Sequence, residues 1–330
     1  MIATNNIPRI FGQVKQGVTG SKWGQFSASM ILPILGFLVF LGIWNVVAKS
    51  IDTSLGQFPG PSQVWEQANV LVDEHIAQKE KAAAFYERQE QRNAARIEAD
   101  PNYVPKIRPF TGAPTFFEQI WTSLYTVMVG FLMASIFAVP IGIACGLSKS
   151  VYAAINPLIQ LFKPVSPLAW LPLVTMIVSA VYVSEDPMFA KSFVTSAVTV
   201  SLCCLWPTLI NTAVGVSSID NDLINVSKVL RLNALTHVIK IVLPSSIPMI
   251  FTGLRLSLGI GWMVLIAAEM LAQNPGLGKF VWDEFQNGSS NSLARIMVAV
   301  LTIGFIGFIL DRVMLLIQRA VSWDKSAITR

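Results

Sequence analysis

Charged residues are scarce and unevenly placed in this sequence of 330 residues. It has 24 Lys and Arg and 19 Asp and Glu, or 13% of the chain, against about 25% in a typical soluble domain. Eighteen of them fall between Lys49 and Glu118, and segments such as Phe26–Ala48 have none. A soluble fold cannot hide such long apolar stretches, so the composition excludes a soluble globular, a disordered and a nucleic-acid-binding protein. The net charge of +5 is instead expected to mark the cytoplasmic side of a membrane protein.

Cysteine, histidine and nucleotide-binding motifs are also few or missing. Cys145, Cys203 and Cys204 lie in apolar runs without nearby histidines or acids, so we expect packing side chains rather than a disulfide framework or a metal site. His75 and His237 are far apart in the sequence, which argues against a histidine-based catalytic site. No GxxxxGK[ST] motif is present, so the chain is expected to bind no ATP, to hold no cofactor and to be no enzyme on its own.

Six apolar segments have the length of about 20 residues that a helix needs to cross a bilayer. They predict an all-α membrane protein with six transmembrane helices. The predicted spans are Phe26–Ala48, Trp121–Leu147, Ile155–Val183, Phe193–Val214, Pro248–Ala272 and Ala294–Gln318. The first begins too late and runs too long for a cleavable signal peptide. Pro164, Pro167 and Pro172 interrupt the third, which is therefore expected to face protein or a polar pathway, where the carbonyls that proline frees find partners.

Lys and Arg in the short loops and tails predict the orientation. With the N-terminus inside, twelve of these cations face the cytoplasm and three face outward. The twelve are Arg9, Lys15, Lys22, Lys149, Lys163, Lys228, Arg231, Lys240, Arg312, Arg319, Lys325 and Arg330, and the three are Lys191, Lys279 and Arg295. The bias predicts that both termini are cytoplasmic.

A charged segment, Lys49–Pro114, separates the first two spans and lies outside in this orientation. Phe58-Pro-Gly-Pro61 predicts a turn, and Ser62–Glu98 predicts a helix with Val64, Trp65, Ala68 and Val72 on one face. Charges of both signs along the rest indicate a solvated helical hairpin or a helix that lies at the membrane interface. The segment is either a solvated spacer or a docking platform for a periplasmic partner.

The loop between the fourth and fifth spans has an amphipathic pattern that is broken around Arg231–Ala234. Its apolar positions are Val226, Val229, Leu230, Leu235, Val238, Ile239 and Val242. This pattern predicts a short helix, a turn and a second helix along the membrane surface, with Pro244 and Pro248 before the fifth span.

This loop resembles the conserved cytoplasmic loop of binding-protein-dependent ABC permeases. The family pattern is Glu-Ala-Ala, three residues, Gly, nine residues and Ile-x-Leu-Pro. Ile241-Val-Leu-Pro244 matches its tail, whereas Asn225-Val-Ser227 stands in place of Glu-Ala-Ala and Arg231 in place of Gly.

Further segments are similar to the nitrate, sulfonate, taurine and bicarbonate permeases. Leu161–Leu173 resembles their proline-rich third span, and Phe58–Val64 their entry after the first span. Ala268-Glu-Met270 and Gly276-Leu-Gly278 match their segment after the fifth span. The charged insertion Val70–Pro114 most resembles the nitrate/nitrite and bicarbonate branch.

The resemblance implies the type I ABC importer permease fold and import of nitrate, and of nitrite as well. Bicarbonate is the closest alternative, followed by a sulfonate, taurine or cyanate. The implied assembly is a homodimer with two ATP-binding subunits, which hold ATP and magnesium, and a periplasmic substrate-binding protein, in a bacterial inner membrane. A secondary transporter and a membrane scaffold are the alternatives from other classes. The implied division is a cytoplasmic segment 1–25, a first span 26–48, a periplasmic helical insertion 49–114, a transmembrane domain 115–323 with its coupling loop 220–244, and a tail 324–330.

The implied ATPase-coupling surface is the short helix around Ser227–Asn233. Its residues are Asn225, Ser227, Lys228, Val229, Leu230, Arg231, Leu232, Asn233 and Pro244. The apolar ones are expected to fill a groove of the ATPase, with Leu232 as central anchor, and Lys228 and Arg231 to pair with acidic groups at its rim.

Polar groups at membrane depth are the candidates for the translocation pathway. They are Thr175, Ser179, Trp206, Asn211, Arg255 and Glu269. Charges within spans, which include Lys163, are costly and usually face a cavity or a partner. Arg255 either attracts a small anion or has a structural role, and Glu269 is expected to be structural or gating. The neutral donors either replace water around a planar, weakly hydrated anion or serve helix packing.

Overall fold

The computed structural model describes residues 22–53, 56–100, 103–183 and 188–321, with side chains from Ile31 onward. The predicted segment up to residue 21 and the tail 324–330 lie outside the described residues. The helices are α1 (Lys22–Ser50), α2 (Pro61–Ala99), α3 (Phe116–Leu147), α4 (Lys149–Phe162), α5 (Pro167–Val181), α6 (Lys191–Ser217), α7 (Asn221–Val229), α8 (Ala234–His237), α9 (Leu243–Ala272), α10 (Leu277–Asn287) and α11 (Ser292–Val321). A π-helical turn, Val238–Val242, precedes α9, and an antiparallel hairpin of β1 (Asp52–Thr53) and β2 (Gly56–Gln57) follows α1.

The chain divides into two compact units, Met1–Glu66 and Gln67–Arg330. In the first, the apolar side chains of α1 are largely exposed, as contact with lipid requires. Trp44 is buried, and its indole N–H donates a hydrogen bond to the carbonyl of Pro59 (3.1 Å). This bond fixes the predicted turn against the end of α1.

In the second unit, α6 packs along both α3 and α9. The close approach of α3 and α6 depends on glycine. A Cβ on Gly142 would lie 2.8 Å from the carbonyl oxygen of Leu209, and one on Gly146 would lie 2.7 Å from that of Ala213. Small residues let helix backbones approach closely where lipid supplies no hydrophobic drive for association. Cys145 and Cys204 are buried in this packing, as expected.

Five helices of the described chain are long and apolar enough to cross a membrane: α1, α3, α6, α9 and α11. They confirm five of the six predicted spans, with ends that shift by a few residues. The α4–α5 pair brings the total to six if it counts as one crossing.

The third predicted span is not one continuous helix. It begins at Lys149 and divides into α4 and α5, which are bent by 100° relative to each other. Pro164 and Pro167 flank the break and have no N–H to continue a helical ladder. Ser166, which precedes Pro167, is extended at φ −61° and ψ 138°, the conformation that a following proline favours.

The charged segment between the first two predicted spans contains one long helix, α2, rather than a helical hairpin. The predicted helix is confirmed, but the chain then returns in extended form along it. Gln89 bonds to both backbone groups of Arg108: its side-chain amide donates to the Arg108 carbonyl (3.4 Å) and accepts from the Arg108 N–H (3.0 Å). Tyr86 accepts from the N–H of Phe110 (3.0 Å). Side chains of α2 thus satisfy backbone groups that a second helix would have satisfied internally.

Two contacts, from Glu74 and His75 in the first half of α2, join this insertion to the membrane domain. Arg295 of α11 makes a bidentate ion pair with Glu74, at 2.7 and 2.9 Å. His75 hydrogen-bonds through Nδ1 to Thr115 (2.8 Å), the residue that caps α3. Both contacts join the insertion to helix ends on one side of the domain.

Candidate functional site

The loop between α6 and α9 folds as a helix, a turn and a second helix, as predicted. Asp220 begins α7 by accepting a hydrogen bond from the N–H of Asp222 (3.0 Å). Asn233 begins α8 by accepting one from the N–H of Thr236 (2.7 Å). Asp and Asn are preferred N-cap residues, so the local sequence defines both helix starts.

The turn is a Schellman motif around Arg231. The N–H of Leu232 donates to the carbonyl of Ser227 (3.2 Å), and that of Arg231 to the carbonyl of Lys228 (3.1 Å). Arg231 has φ 49°, in the left-handed region that glycine usually occupies at a helix end. The glycine of the resembling pattern falls at this position. Arginine here costs about 1–2 kcal/mol and places a long cation at the tip of the loop.

Apolar side chains of this loop are exposed at the end of α7 and on α8, where Leu235 is 69% exposed. Val229 is 81% and Leu230 is 63% exposed, whereas Leu232 is half-buried. Ser227 is buried and hydrogen-bonds to Nδ1 of His237 (2.7 Å), which ties α7 to α8. The predicted helix around residues 227–233 is wrong in its bounds, because the helix ends at Val229. The exposed apolar pair also offers more surface to a partner than Leu232.

The remaining residues of the predicted coupling surface surround this pair. Asn225 and Lys228 are exposed on α7. Pro244 lies in the first turn of α9, directly after the π-helical turn Val238–Val242.

Glu269, near the end of α9, is fully buried against the start of α10. Its carboxylate accepts hydrogen bonds from the hydroxyl of Ser123 on α3 (2.8 and 2.9 Å to its two oxygens) and from the N–H of Gly278 (3.0 Å). Ser123 in turn accepts from the N–H of Leu277 (2.8 Å). A Cβ on Gly276 would lie 2.1 Å from Oε1 of Glu269. Glu269 therefore caps α10 and joins it to α3 and α9, and it presents no free oxygen to a pathway.

Arg255 pairs with Asp311 of α11. Nε of Arg255 contacts one carboxylate oxygen, and Nη2 donates to the other (2.9 Å). Sequence reasoning did not single out Asp311, although a second charge within the sixth span was an available signal. Attraction of an anion by Arg255 stays a prediction, and such an anion would compete with Asp311.

The neutral pathway candidates do not form one cluster. Thr175 and Ser179 are exposed on α5, and the Thr175 hydroxyl donates to the carbonyl of Leu171 (2.8 Å). Asn211 donates to the carbonyl of Pro207 (2.8 Å) and lies against Gly253 of α9. These contacts serve the helices themselves.

Trp206 and Lys163 come together at a cavity of about 200 Å³ between the α4–α5 break, α6 and α9. Trp206 lies 15 residues after Lys191 and 11 before Ser217, so at least about 16 Å of helix separates it from either end of α6. Lys163 lines the same cavity as Trp206, which favours a position within the membrane over the cytoplasmic position predicted for it. Eleven against three cations still favour the same orientation.

Residues 138–323 match the profile of a family described as the binding-protein-dependent transport system inner membrane component. The chain belongs to this family. It is a multi-pass membrane permease of the ABC importer type, which sets aside the secondary-transporter and scaffold alternatives.

Two relatives of this permease match almost its whole length. It is 37% identical over 314 residues to the nitrate import permease protein NrtB of Leptolyngbya laminosa, with 94% of each chain covered. It is 32% identical over 303 residues to the bicarbonate transport system permease protein CmpB of Synechococcus elongatus, with 90% of this chain and 91% of that protein covered.

A solved structure supports the type I importer fold. A chain of the MetNI methionine ABC transporter, in an inward-facing conformation, superposes with a TM-score of 0.53 at 14% sequence identity. The match covers 63% of this permease and 96% of that chain.

Proposed function

We propose that this permease is the transmembrane subunit of an ATP-driven importer of nitrate, and of nitrite as well. The observation that carries the proposal is the similarity to the nitrate permease NrtB over 94% of both chains. An alignment this complete includes most of the charged insertion at 49–114, which is therefore common to both proteins. The insertion supports the branch of nitrate and bicarbonate permeases, and the preference for nitrate within it rests on the higher identity, 37% against 32%.

In the proposed assembly, two copies of the permease enclose the pathway and two ATP-binding subunits hold ATP and magnesium. A periplasmic substrate-binding protein delivers the anion, and both permease termini are in the cytoplasm of a bacterial cell. Val229 and Leu230 are the proposed anchors in a groove of each ATP-binding subunit, because loop residues with 81% and 63% exposure otherwise leave apolar surface in water. Lys228 and Arg231 flank them as rim cations.

Bicarbonate is the second candidate substrate, supported by 32% identity to the bicarbonate permease CmpB over 90% of the chain. The two anions are separated by uptake of labelled nitrate and labelled bicarbonate in a host that lacks its own transporters for both. The permease is expressed there together with the ATP-binding and substrate-binding proteins of the proposed assembly. We expect nitrate uptake that unlabelled nitrite suppresses and bicarbonate does not. Uptake of bicarbonate alone would overturn the choice of nitrate.

A further inference from the structure

The cavity at the α4–α5 break, here called the break cavity, contains polar groups that take no part in the contacts between the helices. Its volume is about 200 Å³, and water occupies about 30 Å³ per molecule in the liquid. A small ion with a few waters therefore fits. Its described walls come from three places: Phe162, Lys163 and Trp170 at the break, Cys203 and Trp206 on α6, and Ile260 on α9.

Lys163 has no compensating charge. Among the described residues, no carboxylate lies within ion-pair distance of it, and the intramembrane acids are engaged elsewhere: Glu269 with Ser123 and Gly278, Asp311 with Arg255. An unpaired ionisable group at membrane depth is costly and typically marks an ion or substrate pathway. A cation in this position favours an anionic ligand.

Two further features of the cavity walls also favour a negatively charged ligand. The helix α5 begins at Pro167, which lines the cavity, and the N-terminal end of a helix carries a positive partial charge. The indole Nε1 of Trp206 is buried and has no hydrogen-bond acceptor among the described residues. Broken helices near the bilayer midplane form substrate sites in other transporters for this electrostatic reason.

The lining also restricts the kind of anion. None of the ten described side chains around the cavity carries an oxygen, so the walls offer no strong side-chain acceptor. An anion with only acceptor atoms suits them better than one with a hydroxyl to donate. The cost of desolvating an ion rises with the square of its charge, so one lysine among apolar walls favours a monovalent anion over a divalent one.

We propose that the break cavity is a transient binding site for a small monovalent oxyanion without a hydroxyl group, with Lys163 as its charged ligand and Trp206 as a neutral donor. Given the proposed function, the anion is nitrate or nitrite, and bicarbonate is disfavoured because its O–H finds no side-chain acceptor in the lining. The site gives the permease a selectivity of its own, in addition to that of a substrate-binding protein.

Cys203 is a native probe of this site, because it lines the cavity and is partly exposed while Cys145 and Cys204 are buried. The experiment measures how fast a negatively and a positively charged methanethiosulfonate modify Cys203 in membranes that contain the assembled transporter. Cys203→Ala defines the background. We expect nitrate to slow the modification, and bicarbonate at the same concentration to slow it less.

The charge of Lys163 is tested by the ratio of the two rates, in which the reactivity of the thiol cancels. Lys163→Gln should lower the ratio of the anionic to the cationic rate severalfold, because a unit charge on the cavity wall acts oppositely on the two reagents. Lys149→Gln, at the other end of α4, is the matched control and should leave the ratio unchanged.

Three results would each overturn the site. They are an equal rate of Cys203 modification with and without nitrate, an unchanged ratio of rates in Lys163→Gln, and a Cys203 that neither reagent modifies. The protection measurement does not depend on Lys163→Gln, so it decides even if that variant fails to assemble. Nitrate uptake by the unmodified complex, measured in parallel, separates this inference from the proposed function. Uptake without protection refutes the site alone, whereas uptake of bicarbonate alone refutes the proposed substrate.

Discussion

Replacing Glu269 tests whether the buried carboxylate holds α10 in place. Glu269→Ala removes the acceptor for two hydrogen bonds, from the Ser123 hydroxyl and the Gly278 N–H, at a residue with 0% exposure. Hydrogen bonds to a charged group contribute about 1.5–3 kcal/mol each, so the expected loss of stability is about 3–6 kcal/mol. Two buried donors would be left without partners.

Glu269→Gln should be far milder. Its side-chain oxygen still accepts from the Gly278 N–H, and its amide can donate to the Ser123 hydroxyl. The main loss is the favourable interaction of a carboxylate with the N-terminus of α10, about 1 kcal/mol. The account therefore predicts a clear order of stability: wild type, then Gln, then Ala.

The assay is thermal unfolding of the purified transporter in detergent, followed by tryptophan fluorescence. Asp283→Ala on α10, the helix that Glu269 caps, is the matched control, because Asp283 is 46% exposed and pairs with Lys279 at the surface, where such pairs contribute little. An Ala variant as stable as wild type would refute the cap. A Gln variant as unstable as the Ala variant would refute the hydrogen-bond argument and show that the negative charge itself is required.

Three further outcomes follow from the same geometry. If the pair of Arg255 and Asp311 is structural, Arg255→Gln and Asp311→Asn should lower assembly and nitrate uptake alike; an anion-attracting Arg255 predicts instead that Asp311→Asn raises uptake severalfold. Val229→Asp should lower transport about tenfold or more and release the ATP-binding subunit on co-purification, as for a central anchor, while Lys228→Ala costs little; a normal complex with Val229→Asp would contradict this docking. In intact cells, an impermeant thiol reagent should label Ala83→Cys and spare Lys228→Cys, and the reverse pattern would invert the topology.

The spans and the loop helices could be predicted from the sequence because their signals are local. Long uncharged runs define α1 and α3, and Asp220 and Asn233 are caps that act within three residues. The unexpected feature of the loop is also local, since Arg231 occupies the left-handed position of the Schellman turn. The two prolines around the α4–α5 break predicted a disruption, but not the bend of 100°.

The contacts of the charged residues could not be predicted from the sequence, because their partners are distant along the chain. Ser123 and Glu269 are separated by 146 residues, and nothing in the pattern around Ser123 distinguishes it from other hydroxyls of the spans. The break cavity depends on how α6 and α9 pack beside the break, so neither Lys163 nor Trp206 predicts it alone. Periodicity indicates which faces are apolar, but packing decides which polar groups meet.

ATP-dependent accumulation of labelled nitrate in proteoliposomes tests the central claim most directly. The vesicles contain the purified permease with its ATP-binding subunits, and the substrate-binding protein is added on the side of the insertion. We expect nitrate to accumulate only with ATP and magnesium, and Val229→Asp to abolish accumulation. Nitrate accumulation without ATP, or driven by an ion gradient alone, would contradict the account.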